Sequence, residues 1–197
     1  EYHADAKHVF VTGHSNGAMM AYRLACEIPG KIAGIAPVGA QNIYNCPLVT
    51  PVPVIHIHGT LDLCALYDGG ECGGCFGRAL GGLPVDKQWA CPAVRTTVEQ
   101  LAVSYGCSGE TRSVIDRGAV ECQEWQGCPA HGEVGLCSIR GGGHHWQGAD
   151  LPAFCKDKGN AKASDLCGRW MAQVGPVVSG VDTDSLIFGF FAGYLKK

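Results

Sequence analysis

Short apolar runs alternate with amphipathic segments along the first part of this chain. Residues 8–13 (His-Val-Phe-Val-Thr-Gly) combine β-branched and aromatic side chains and predict a short buried strand. Residues 16–27 predict a helix that ends before Pro29. Residues 31–38 and 52–58 predict two further strands, and all three strands are apolar runs, as expected for buried parallel strands. The pattern therefore predicts an α/β fold with a mostly parallel sheet and flanking helices.

The second half of the chain has clear elements separated by stretches without a period. The predicted elements are a helix at 94–105, a hairpin at 111–125 that turns at 116–118, a strand at 133–139 and a closing helix capped by Asp182 or Thr183. In the closing helix, Leu186, Phe190 and Tyr194 fall at i, i+4 and i+8 and predict an apolar face. The segments 64–92 and 149–180 are interpreted as disulfide-rich insertions in a single domain that covers residues 1–197.

The twelve cysteines change the picture, because a reducing compartment gives such a chain no benefit from so many thiols. Their even number suits a full set of disulfides, which indicates a secreted protein, although the pairing cannot be read from the sequence. The alternative is a zinc or thiol-redox site, since Cys72-Gly-Gly-Cys75 has C-x-x-C spacing. No second C-x-x-C pair accompanies it, so disulfides are the favoured interpretation.

Charge and hydropathy exclude several classes of partner. The formal net charge is −3, so a broad basic surface for nucleic acid or anionic membrane is not expected. No apolar run reaches the ~18 residues that a membrane span needs. With 46% hydrophobic residues, the chain has enough apolar material for a globular core.

Candidate chemistry starts at Gly13-His14-Ser15-Asn16-Gly17, which fits the G-x-S-x-G pattern of a nucleophile elbow. The pattern lies between a predicted strand and a predicted helix, where a tight turn exposes the serine hydroxyl. Glycines on both sides are expected to leave room for that turn. The N–H of Asn16 would lie at the helix N-terminus and could stabilise an oxyanion. The alternative is a glycine-rich turn with a solvated serine.

A nucleophilic serine needs a base and an orienting acid, which in this class follow the serine in the order acid, then histidine. Asp62 follows the strand at 52–58, and His144 follows the strand at 133–139. A turn or cap role remains the alternative for Asp62, and His145 is the alternative base. The weaker acid candidates are Asp68, Asp116 and Asp150.

Four other residues near these positions have competing interpretations. Trp146 beside His144, and His14 beside Ser15, are candidates for substrate binding, with packing as the alternative for both. His56 and His58 alternate with isoleucines in a predicted buried strand and are interpreted as core residues, with zinc ligands as the alternative.

Three segments, 9–26, 53–62 and 141–148, resemble the polyhydroxybutyrate-depolymerase and feruloyl-esterase-like family of α/β hydrolases. The resemblance implies an α/β-hydrolase-like fold with Ser15, Asp62 and His144 as the catalytic triad. It also implies hydrolysis of carboxylic esters, on polyesters such as polyhydroxyalkanoate or as feruloyl or acetyl esters of plant polysaccharide. Neither a metal nor an organic cofactor is required. Gln147 stands where this family usually has proline.

The chain departs from that family at its beginning, because the strand before Ser15 starts near residue 8. The fold is therefore expected to lack the usual N-terminal strands, one of whose loops would supply a second oxyanion N–H. An exposed sheet edge of this kind favours a homodimer. The departure also motivates a rival function, a catalytically inactive, disulfide-stapled module that binds polysaccharide or polyester surfaces.

Overall fold

A computed structural model describes residues 3, 5–43, 50–83, 87–157 and 159–195. It contains eight strands: β1 (Phe10–His14), β2 (Gly34–Val38), β3 (Val54–Gly59), β4 (Gly70–Gly73), β5 (Gln88–Cys91), β6 (Thr111–Arg117), β7 (Val120–Trp125) and β8 (Val134–Ile139). The α-helices are α1 (Asn16–Glu27), α2 (Cys75–Ala79), α3 (Val94–Tyr105), α4 (Ala153–Lys156), α5 (Ala161–Val174) and α6 (Thr183–Ala192), and Pro29–Lys31 form a 3-10 turn.

Six strands form one mixed sheet in the order β1-β2-β3-β8-β7-β6. The first four are parallel, and the β6–β7 hairpin adds two antiparallel strands next to β8. β1 lies at one edge of this sheet. Because the parallel strands run in the same direction, the chain leaves β1, β3 and β8 at a common edge of the sheet, where binding residues typically lie in α/β folds.

Apolar side chains cover both faces of the sheet. On one face, side chains of α1 and α3 pack against β2, β3 and β8 around Tyr22, Ile35 and Val98. On the other face, α6 contributes Ile187 and Phe191 to a second cluster. Together with the six-stranded sheet, these helices confirm the predicted α/β layering.

Most predicted elements agree with the structure, and both helices at 16–27 and 94–105 have the predicted bounds. The hairpin turns between Arg117 and Val120, slightly later than predicted. Asp182 caps the closing helix by accepting from Ser185 N–H. No helix within the described ranges is long and apolar enough to cross a bilayer.

The two predicted insertions contain more regular structure than the sequence indicated. The first holds β4 and β5, which pair as an antiparallel two-stranded sheet, with α2 between them; its residues 84–86 lie outside the described part of the chain. The second contains α4 and the 14-residue α5. α5 was missed although Leu166, Trp170 and Val174 recur at helical spacing in its sequence; of these three side chains only that of Val174 is buried.

Five disulfides lie among the described residues. They join Cys64 to Cys75, Cys72 to Cys91, Cys107 to Cys128, Cys122 to Cys137 and Cys155 to Cys167. Cys26 is also disulfide-bonded, and no cysteine in the described ranges is free. The disulfide prediction for Cys46 falls outside those ranges. Cys72 and Cys75 bond to different partners, so the C-x-x-C spacing is neither a zinc pair nor a redox pair.

Candidate active site

Ser15 lies in a sharp turn between β1 and α1. Its φ of 58° is in the left-handed region, which is uncommon for a residue with a side chain. Its N–H donates to the carbonyl of Val38 at 2.8 Å, so the neighbouring strand β2 holds the turn. Asn16 is the first residue of α1, where its N–H has no intrahelical acceptor and is available to an anion.

The two glycines of the elbow have different roles. A Cβ on Gly13 would lie 2.7 Å from the backbone carbon and oxygen of Gly17, closer than real contacts allow. A Cβ on Gly17 itself would meet nothing within 4 Å. The expectation that both glycines leave room for the turn is therefore correct for Gly13 and wrong for Gly17.

Asp62 occupies the loop after β3 and is 3% exposed. One carboxylate oxygen, Oδ1, accepts from the N–H groups of Cys64 and Ala65 at 2.8 and 2.7 Å. The other oxygen, Oδ2, accepts from Nδ1 of His144 at 2.8 Å and lies 3.3 Å from Nε2 of His58. Burial by itself would raise the pKa of Asp62, but the hydrogen bonds from the two histidines outweigh it and the pKa falls below its usual range.

Glycine packing brings the loop after β8 against the loop of Asp62. The N–H of Leu61 donates to the carbonyl of Gly142, and a Cβ on Gly59 would collide with that same carbonyl. On the other side, a Cβ on Gly143 would collide with the backbone of Gly175. Because Gly143 has no side chain, His144 can lie between the acid loop and the end of α5.

Ser15, His144 and Asp62 form one hydrogen-bonded line. Nε2 of His144 is 2.8 Å from Oγ of Ser15, and Nδ1 of the same ring is 2.8 Å from Oδ2 of Asp62. A carboxylate can only accept, so Nδ1 carries the proton and Nε2 is left to accept from the serine. This is the geometry of a nucleophile, a base and an orienting acid.

The alternative residues for these roles lie elsewhere. Nε2 of His145 is 3.0 Å from the carbonyl of Gly175 and is turned away from Ser15. Asp116 pairs with Arg140, and Asp150 pairs with Lys156.

A cavity of about 290 Å³ opens beside Ser15 and His144. Apart from His144, none of the described residues that line it has an ionisable side chain. The residues that line it are Ser15, Asn16, Met19, Cys64, Ala65, Gly73, Cys75, Phe76, Trp89 and His144. Met19, Phe76 and Trp89 were not predicted as site residues. Met19 lies on a helix whose pattern indicates only packing, and Phe76 and Trp89 lie in the disulfide-bonded segment 64–92, which has no local sequence signal for a site.

The two residues predicted to bind substrate are not among those lining this cavity. Trp146 packs against the α6 cluster and donates its indole N–H to Asp184 at 3.0 Å. The ring of His14 packs against the ring of His144, with 4.6 Å between centroids. Burial lowers the pKa of His14 to about 3, so this ring is neutral beside the base. Both placements favour the packing alternative.

Asp62, Cys64 and His144 could in principle offer a metal three ligand atoms, which lie within 4.8 Å of one another. The sulfur of Cys64 is bonded to Cys75 and cannot act as a thiolate ligand. Both nitrogens of His144 are within hydrogen-bond distance of Asp62 and Ser15. The residues present therefore suit a hydrogen-bonded triad better than a metal centre.

Comparison with known proteins finds relatives whose names all contain the word esterase. No family model matches the chain. The chain is 28% identical to "Feruloyl esterase B" of Piromyces equi over 146 residues, which cover 71% of this chain and 25% of the relative. It is 31% identical to "Putative esterase NocK" of Nocardia uniformis subsp. tsuyamanensis over 160 residues, 75% of this chain and 45% of the relative.

A third match is 40% identical over 63 residues to the "Bifunctional acetylxylan esterase/xylanase XynS20E" of Neocallimastix patriciarum, covering 32% of this chain and 9% of the relative. The chain thus spans less than half the length of each of these relatives. The chain is therefore a distant homologue of proteins that are named as esterases.

Proposed function

We propose that this chain is a secreted serine carboxylic ester hydrolase with an α/β-hydrolase fold. The observation that carries the proposal is the hydrogen-bonded line from Oγ of Ser15 through His144 to Asp62. The five disulfides support an oxidising compartment, because such bonds persist outside the reducing cytosol. The esterase names of the relatives agree with the same chemistry.

In the proposed reaction, Nε2 of His144 takes the proton of Ser15 as Oγ attacks the ester carbonyl carbon. Asp62 keeps the ring in the Nδ1–H tautomer and stabilises the imidazolium that forms. The N–H of Asn16 donates to the developing oxyanion. His144 then passes the proton to the departing alcohol oxygen, and a water activated by the same ring releases the acid from Ser15.

The cavity beside Ser15 supports an uncharged substrate group. The described part of its wall includes Met19, Phe76, Trp89 and the Cys64–Cys75 disulfide. A carboxylate or ammonium group placed against these side chains would lose its hydration without gaining an ionic partner from them. Feruloyl and acetyl esters, which the names of two relatives mention, are both uncharged and are the first substrates to try.

The test is hydrolysis of p-nitrophenyl acetate and butyrate by the oxidised protein and by variants of it. His144→Gln and His145→Gln are the matched pair, because they make the same change at adjacent histidines. We expect Ser15→Ala and His144→Gln to lose at least about 10³-fold in kcat. His145→Gln should retain most of the activity, because the hydrogen bond of its ring goes to the carbonyl of Gly175 and not to Ser15 or Asp62. A folded, oxidised protein that hydrolyses neither ester above the level of Ser15→Ala would refute the proposal and favour the rival binding module.

A further inference from the structure

A chain of buried side chains continues the candidate triad behind Asp62. The hydroxyl of Tyr22 is 2.8 Å from Nδ1 of His56, and Nε2 of His56 is 2.9 Å from Nδ1 of His58. Nε2 of His58 in turn lies 2.7 Å from the carbonyl of Ala65 and 3.3 Å from Oδ2 of Asp62. Tyr22, both histidines and Asp62 are at most 3% exposed. The ester hydrolysis described above uses none of them beyond Asp62.

The direction of these hydrogen bonds follows from their two ends. The carbonyl of Ala65 can only accept, so Nε2 of His58 carries a proton. At the other end, His56 is the one hydrogen-bond partner of the Tyr22 hydroxyl within the described residues. Burial raises the pKa of Tyr22 and keeps its phenol protonated, and a buried phenol proton needs an acceptor. Tyr22 therefore donates to Nδ1 of His56.

The protonation of the middle of the chain is then determined. Burial lowers the pKa of His56 well below its ordinary value, so this ring is neutral and holds its single proton on Nε2. That proton is donated to Nδ1 of His58. An Nδ1 that accepts a hydrogen bond carries no proton, and His58 is consequently a neutral ring that donates through Nε2.

This arrangement acts on the oxygen of Asp62 that His144 uses. Oδ2 accepts the N–H of His144 and lies 3.3 Å from Nε2 of His58, whose N–H donates to the carbonyl of Ala65, while Oδ1 is held by two backbone N–H groups. The partial positive charge of the Nε2–H of His58 attracts Oδ2 and draws part of its negative charge away from His144. A positively charged His58 would instead compete with His144 for that carboxylate as an ion pair.

We propose that His58 is a positioning residue for Asp62, and that His56 and Tyr22 keep it a neutral donor by occupying its Nδ1. The proposal rests on the triad assignment made under the proposed function. It gives His58 two effects: it holds Asp62 in line with His144, and it limits how strongly Asp62 raises the basicity of His144.

Core packing is the competing explanation, because the rings of His56 and His58 stack with 5.2 Å between their centroids. A packing role predicts that an apolar side chain of similar volume serves as well as histidine. A positioning role predicts that the N–H must be kept. His58→Leu and His58→Gln separate the two explanations, since only the glutamine amide can donate to the carbonyl of Ala65 and place an N–H beside Oδ2 of Asp62.

The first experiment is independent of enzyme activity and uses the unmodified protein. Nitrogen-15 chemical shifts of the histidine rings near neutral pH should show protonated Nε2 and unprotonated Nδ1 in both His56 and His58. A His58 ring protonated on both nitrogens, or on Nδ1 alone, would overturn the proposal. This measurement needs no variant to fold and no substrate.

The second experiment compares the variants. In His58→Leu, the resonance of the proton between His144 and Asp62 should move downfield, and His58→Gln should restore it. With p-nitrophenyl butyrate, His58→Leu should lose about 10- to 100-fold in kcat/KM. The acid limb of the pH–kcat/KM profile of His58→Leu should move toward higher pH. His58→Gln should return both kcat/KM and the position of the acid limb toward those of the unmodified protein.

An unshifted proton resonance and an unshifted acid limb in folded His58→Leu would reduce His58 to a packing role. Absence of ester hydrolysis in every protein, with the predicted ring protonation and proton shift still present, would refute the proposed function and leave the hydrogen-bond assignment standing.

Discussion

Replacing Gly13 by alanine isolates the contact on which the turn at Ser15 depends. The φ of Gly13 is not in the left-handed region, so alanine meets no backbone penalty there. Its Cβ would lie 2.7 Å from the backbone of Gly17, where 3.4 Å marks the start of ordinary contact. The first turn of α1 must therefore move by about 0.7 Å to accept one methyl group.

The size of this movement sets the expected losses. Overpacking of this kind costs roughly 1–3 kcal/mol in the free energy of unfolding. The same movement carries Oγ of Ser15 and the N–H of Asn16 relative to His144, which is only 2.8 Å from Oγ. Since a misplacement of about 1 Å can reduce a rate about 10²-fold, we expect kcat/KM to fall by about 10- to 100-fold.

Gly17→Ala is the matched control, since it adds the same methyl group where nothing lies within 4 Å. Alanine in a helix is more stable than glycine by up to about 1 kcal/mol, so this variant should be as stable as the unmodified protein or more so. Urea denaturation and hydrolysis of p-nitrophenyl butyrate measure both effects. Equal loss of activity in the two variants, or an unaffected Gly13→Ala, would refute the packing argument.

Three further predictions concern the disulfide in the cavity wall, the tryptophans Trp89 and Trp146, and the histidine beside Ser15. Replacing both cysteines of the Cys64–Cys75 disulfide by serine should lower stability by about 2–3 kcal/mol and also raise KM, because this disulfide lines the cavity. The disulfide between α4 and α5 closes a loop of similar length, and its loss should lower stability without changing KM. Thermal melts and Michaelis plots measure the two effects. Trp89→Ala should raise KM severalfold because it removes part of the cavity wall. Trp146→Phe should leave KM unchanged and lower stability by about 1 kcal/mol through loss of the hydrogen bond to Asp184. A raised KM in Trp146→Phe would support its predicted role in substrate binding. Folding lowers the pKa of His14 from 6.5 to about 3, so stability is highest above pH 6.5 and falls, by up to about 1.4 kcal/mol per pH unit, as pH decreases toward 3. His14→Gln should flatten the pH dependence of the free energy of unfolding in urea over that range. An unchanged slope would contradict the pKa assigned to His14.

Local patterns predicted the part of the fold that packs against the sheet. The apolar strands and the helices at 16–27 and 94–105 were predicted because the spacing of apolar residues in each one marks the face that it buries. α5 was not predicted, although Leu166, Trp170 and Val174 have helical spacing, because it lies within the cysteine- and glycine-containing segment 149–180 that was interpreted as an insertion. The pairing of β4 with β5 was likewise missed, because it depends on a disulfide between residues far apart in the chain.

The sequence by itself also named Ser15, Asp62 and His144, because chain order and strand ends restrict where such residues can lie. Only the tertiary structure decided which of two adjacent histidines contacts the serine, since one ring points between two glycine-packed loops and the other toward Gly175. It alone assembled the cavity wall from α1, α2 and β5. It also connected His58 to Asp62, because a hydrogen bond depends on distance and direction in space, which the order of residues along a chain does not record.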